Sequence, residues 1–162
     1  MSPIVAILLF LHVAGAIIAF GPSFAMPIIG AMGGKEPMHA NFATRVTLQI
    51  EERIIVPLAL FQAVTGIGLI WFAGFNLIES HWLLLGIILY VIALAFAMAV
   101  QTNSVKRVIE LTTMPAGGPP PGAPAGPPPG VPEAVQRVQR GGMFLGIMIL
   151  VIVFLMVVKP AF

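Results

Sequence analysis

The chain contains no cysteine and very little charge. The first absence excludes disulfides, thiolate metal sites, iron–sulfur clusters and cysteine nucleophiles. The second restricts the fold. Charged residues make up 9% of the 162 residues and hydrophobic ones 59%, whereas soluble domains carry about 25% charged residues. A soluble core of that size would have no polar shell, so the bilayer must solvate most side chains. Catalytic signatures are missing too. There is no phosphate-cradling glycine loop, HExxH metal motif or nucleophile elbow. Gly66-x-Gly68 follows no strand, so it is not a dinucleotide signature. No basic run is interleaved with aromatics, which argues against nucleic acid as a partner.

What is present is apolar sequence in four stretches, about residues 3–30, 54–75, 82–104 and 141–159. A helix needs roughly 20 apolar residues to cross the hydrocarbon core. The expected fold is therefore all-α: a polytopic membrane protein with a four-transmembrane-helix bundle, forming one domain over residues 1–162. The first stretch carries no Lys or Arg ahead of it and is far longer than a signal-peptide core, so it is expected to remain as a span.

The basic residues orient these spans. Lys35, Arg45 and Arg53 lie between the first and second stretches, and Lys106, Arg107, Arg137 and Arg140 between the third and fourth; only Lys159 lies elsewhere. The positive-inside rule puts both loops in the cytoplasm and both termini outside. Trp71, Phe72, Phe75 and Trp82 flank the short loop at 76–80 and read as an aromatic belt at the outer interface. The expected location is the inner membrane of a bacterium. The expected partners are the lipid bilayer and a membrane protein or second copy of the chain.

Several irregularities interrupt this pattern. Pro22 removes the donor for the carbonyl of Ile18, so the first helix should kink. Residues 40–53 read as an amphipathic lead-in lying at the interface, with Arg45, Gln49 and Glu52 on one face and Val46, Ile50 and Ile54 on another. Pro57 leaves the carbonyl of Arg53 free. Residues 113–133 read as a flexible Pro/Gly-rich loop. The spacings Gly142/Gly146, Ala93/Ala97 and Gly15/Ala19 suit close packing within the bundle.

Few residues carry chemistry. His12 is an ionisable group inside the first span, which marks it as a functional candidate. Tyr90 should lie at similar depth or slightly deeper, with Gln62 and Thr65 deeper again. The plain reading is a neutral imidazole hydrogen-bonded to one of these three. The sharper one is a haem or copper ligand. His39 and His81 fall at opposite ends of the bundle, so no second His matches its depth, and Met148 is the conceivable partner. Glu51, Glu52 and Arg53 form the densest charge cluster and read as interface anchors with local ion pairing.

The stretch Glu52-Arg53-Ile54-Ile55-Val56-Pro57, then Thr65-Gly66-Ile67-Gly68-Leu69, then Trp82-Leu83-Leu84 with a third helix, resembles a bacterial family. Leu11-His12-Val13 resembles its first helix. The family is described as predicted integral membrane proteins, a domain of unknown function numbered 2269. The resemblance covers about the first two thirds of the chain and implies four helices with no assigned activity. A more distant similarity is to copper-resistance D proteins and haem-associated four-helix membrane proteins, which would give His12 a haem or copper role.

The function expected is that of a structural or accessory membrane subunit without its own catalysis. The alternatives are a haem- or copper-binding protein using His12, and a small transporter or channel component centred on the kinked first helix. The orientation is open to a direct test. Reporters fused after Phe162 should report an external C-terminus, and reporters within 115–132 a cytoplasmic loop. A cytoplasmic C-terminus would overturn it.

Overall fold

The computed structural model describes residues 2–113 and 126–161. The expected flexible loop lies largely in 114–125, outside the described residues. Four long helices dominate, each apolar enough to cross a membrane, and no strand occurs among the described residues.

The first span is α1 (Pro3–Phe20) and α2 (Met26–Lys35), joined by a 3₁₀ turn at Gly21–Phe24. Ser2 caps α1 by accepting from the Val5 amide at 3.3 Å, and Pro3 follows at the first helical position, where a missing N–H costs nothing. The turn falls at Pro22, where the lost backbone bond predicts a break. The second span is α3 (Ala40–Ile50) and α4 (Val56–Ala73), joined by a π turn at Glu51–Ile55. Pro57 explains this widening. Its ring would crowd the Arg53 carbonyl in a regular helix, and the Val56 amide instead reaches back five residues to the Glu51 carbonyl. Gly74 ends α4 in a left-handed cap at φ 71°. The third span is α5 (His81–Phe96) and α6 (Thr102–Thr112), with a second π turn at Ala97–Gln101. The fourth is α7 (Val131–Val158), closed by Lys159 at φ 47°.

Helix ends and hydropathy ends do not coincide. At the basic end the helices run on past the apolar stretches: to Lys35 rather than 30, from Ala40 rather than 54, to Thr112 rather than 104, from Val131 rather than 141. Hydropathy marks where hydrocarbon stops, but helix formation continues into water wherever a neighbour buries one face. The amphipathic lead-in is helical, as expected. It is α3, continuous with α4 and packed against α2 and α6.

The spans form two antiparallel pairs. In the first, glycines bring α1 close to α4. A Cβ on Gly15 would stand 3.0 Å from Gln62 Oε1, one on Gly66 3.3 Å from His12, and one on Gly68 3.3 Å from Leu8. In the second, α5 lies along α7, with Phe96 edge-on to Phe144 at 4.8 Å between centroids. Gly86 makes room for Met156 and Gly141 for Gln101. The Gly142/Gly146 pair is not an internal seam, because a Cβ on Gly146 would meet nothing within 4 Å. The 3₁₀ turn of the first span touches α7 and closes the ring. Both chain ends lie at the hairpin end, where Lys159 sits 5.5 Å above Trp82 and Phe75 meets that ring edge-on at 6.0 Å.

The most completely buried large side chain is at the opposite, basic end. Val105 of α6 has no exposed surface, and Val108 has 5%, because α6 is held between α3 and α7. Asn41 of α3 stitches this collar by donating to the Ile109 carbonyl at 3.1 Å and to Thr112 Oγ1 at 2.9 Å, near a helix end whose carbonyls have no further helical partner. Val105→Ala is expected to cost about 2 kcal/mol. Val157→Ala, on a side chain 75% exposed, should be near neutral. Thermal unfolding of both variants in one detergent checks this, and equal melting points would refute the buried collar.

Candidate functional site along the bundle seam

Candidate polar residues face the seams between spans rather than lipid. Thr65 and Gln62 lie one turn apart on the inner face of α4 and are both buried. Opposite them, His12 Nδ1 is 2.9 Å from Thr65 Oγ1. Proton bookkeeping favours one direction for that bond. The Thr65 hydroxyl carries one proton and directs it to the carbonyls of Phe61 and Gln62, each at 3.1 Å. Its lone pairs are then left to accept, and on that ground we assign Nδ1–H of His12 as the donor, a choice that rests on the ring tautomer. In the neutral imidazole this places the lone pair on Nε2.

Gln62 is less satisfied. Its Oε1 is buried without a hydrogen-bond partner and sits against Gly15. Tyr90 of α5 donates to the Ala59 carbonyl and so links the two helix pairs. Ala59 is six residues from Thr65 towards the basic end, about 9 Å along the axis. The depth order therefore departs from expectation: Thr65 is level with His12, Gln62 follows, and Tyr90 is deepest. Met148 lies between Phe144, which meets Phe96, and Met156, which meets Gly86. It is buried within the α5–α7 pair. His39 precedes α3 and His81 begins α5, at opposite ends. No group of three or more metal-ligating side chains occurs among the described residues.

The charge cluster does not act as a unit. Successive helical residues point in different directions, and the π turn sends Glu51, Glu52 and Arg53 to separate places. Glu51 is 5% exposed and accepts from Thr102 Oγ1 at 2.6 Å. Glu52 pairs with Lys106 at 2.9 Å across to α6. Arg53 takes neither neighbour as an ion-pair partner, contrary to the local pairing expected. Beside Thr102, Gln101 donates to the Val138 carbonyl of α7 at 3.2 Å while its Oε1 has no partner. The two π turns therefore lie side by side, bridged by Glu51 and Thr102. Such wide turns often sit at functional sites.

Sequence reasoning did not single out Asn41, Gln101 or Thr102. A signal existed in the run Gln101-Thr102-Asn103-Ser104, polar residues that continue a helix straight out of an apolar span. The expected span already runs to 104, but it takes these residues only as its end.

The fold and seam define a class: a four-span, all-α integral membrane protein whose buried polar groups lie between helices. The chain belongs to the family described as predicted integral membrane protein (DUF2269), whose profile matches residues 6–160. The match thus extends through α7, beyond the first two thirds. No curated protein and no solved structure matches the chain. Nothing in these comparisons carries the more distant likeness to copper-resistance D proteins.

The His12–Thr65 bond gives a direct test. Thr65→Val removes the acceptor for Nδ1–H and should destabilise the α1–α4 pair by about 1 kcal/mol, in the range of hydrogen bonds between helices in lipid. Thr65→Ser should restore most of that. Nitrogen chemical shifts of His12 should show the Nδ1–H tautomer. An Nε2–H tautomer would refute the assignment.

Proposed function

We propose that the protein is a non-catalytic membrane subunit that associates with a partner in the plane of a bacterial inner membrane, with both termini outside. One observation carries this reading: the spans touch one another only along narrow strips. Within the apolar window of each span, between 11% and 17% is buried inside the chain. Lipid covers such surface adequately, but helix partners in a bilayer select small residues that permit close approach. Gly30 and Gly34, four residues apart on α2, have nothing within 4 Å where a Cβ would stand, and Gly146 on α7 is open in the same way. These bare positions suit a second helix.

A second reading rests on His12. With Nδ1–H engaged by Thr65, Nε2 is the nitrogen left for a ligand, and a bond from the other ring nitrogen is what orients ligating histidines. This supports a haem- or copper-binding role, with the remaining ligand supplied from outside the bundle or by a second copy.

Extraction of the protein in native lipid nanodiscs separates the two. The subunit reading expects a co-isolated protein or a second copy, lost in Gly30→Leu/Gly34→Leu or in Gly146→Leu. A lone monomer in native membrane would sink it. The cofactor reading expects visible absorbance or bound copper that disappears in His12→Ala. Colourless, metal-free wild-type protein would remove it.

A further inference from the structure

The outer face of α3 carries two parallel rows of side chains. Phe42, Val46, Ile50 and Ile54 form an apolar row at four-residue spacing. Arg45, Gln49 and Arg53 form a polar row beside it, and the two rows line one shallow groove. The π turn contributes to this alignment. In a regular helix each step of four residues rotates about 40° past a full turn. The wider turn at Glu51–Ile55 takes up part of that drift and keeps Arg53 with Arg45 and Gln49.

The charge in the groove is uncompensated. The two nearest carboxylates are committed elsewhere, Glu51 to Thr102 and Glu52 to Lys106. Neither Arg45 nor Arg53 has an ion-pair partner among the described residues. Two free guanidinium groups flanking an amide suit a phosphate, which arginine recognises with paired N–H donors. The location suits one kind of phosphate in particular. Apolar sequence begins at Ile54, and Gln49 lies five residues outside it, about 7 Å along the axis. That falls within the headgroup layer of one leaflet, roughly 5–8 Å thick. The adjoining apolar row then accounts for the hydrocarbon of the same molecule.

We propose that this groove is a binding site for an anionic glycerophospholipid, with the phosphate held between Arg45 and Arg53 and an acyl chain against Ile50 and Ile54. The site does not depend on the subunit or the cofactor reading.

The test uses the full chain in a neutral detergent, with bound lipid counted by native mass spectrometry. Phosphatidylglycerol should be retained in preference to phosphatidylcholine. Arg45→Gln and Arg53→Gln should each lower its retention roughly five-fold, the scale of one basic residue at an anionic surface. A control pair that removes twice the charge of either variant, Lys35→Gln/Lys159→Gln, should leave retention unchanged. Ile50→Ala should weaken long-chain lipid more than a short-chain analogue. Equal binding of the two headgroups, or an equal loss in the control pair, would overturn the proposal. So would displacement by millimolar inorganic phosphate, which would make this a free-phosphate site. A protein held through the two arginines in place of lipid would overturn it as well. If an arginine variant is not recovered, the wild-type headgroup and phosphate comparisons still decide.

Discussion

Lipid supplies no hydrophobic force between helices, because acyl chains are as apolar as leucine. The rest of the structure follows from that constraint. Inside the hydrocarbon, the helices meet where glycine removes a side chain or where a hydrogen bond crosses the gap. Gly15, Gly66 and Gly68 bring α1 onto α4, and the His12–Thr65 bond fixes their register. Beyond the membrane edge water returns, and so does the hydrophobic effect. There Val105 and Val108 are buried almost completely, in a collar built from α2, α3, α6 and the start of α7. The largest fully buried side chain of the described residues thus lies just past the apolar stretch of its own span.

The same division decides what was legible in the sequence. The number and order of spans could be read from hydropathy alone, since that property sets solvent preference. The collar could not, because its residues look like charged loop: α6 holds Lys106, Arg107 and Glu110 yet buries one face. Thr65 and Gln62 were identifiable as polar interruptions in α4, but their pairing was not. Register depends on where glycines let two helices touch, and depth counted from a hydropathy edge cannot supply that. The partners of Thr102 and Asn41 could not be read for a related reason. Each acts across a tertiary contact, with Glu51 and with the end of α6, and nothing in its neighbours announces the partner.

One proline has effects well beyond its own turn. Pro57 forbids a regular helix over the residues before it, and the π turn that results changes the heading of Glu51, Glu52 and Arg53. Three adjacent charges that would otherwise invite mutual pairing are sent to the interior, to Lys106 and to the outer face. The bridge between the two helix pairs and the free arginine of the outer groove are therefore consequences of one backbone feature. The π turn of the third span has no proline near it. Its counterpart is Thr102, whose amide bonds the Ala97 carbonyl and whose hydroxyl reaches Glu51.

The two helix pairs repeat one device. In each, a glutamine side chain is laid against a glycine of the facing helix: Gln62 on Gly15 in the first, Gln101 on Gly141 in the second. In each, the amide oxygen is buried without a conventional donor, an arrangement that is costly in a low-dielectric setting. In each, the missing side chain of the glycine is what makes room for the amide. Either glutamine could be replaced by a leucine without loss of hydropathy, which would remove the unsatisfied oxygen. The amides are therefore not needed to place the helices in the membrane. In the first pair the amide adds discrimination, since a shift of α1 by one residue would set Ala14 or Ala16 in place of Gly15 against the Gln62 oxygen. Gln62 thus adds to the register that the His12–Thr65 bond and the seam glycines set.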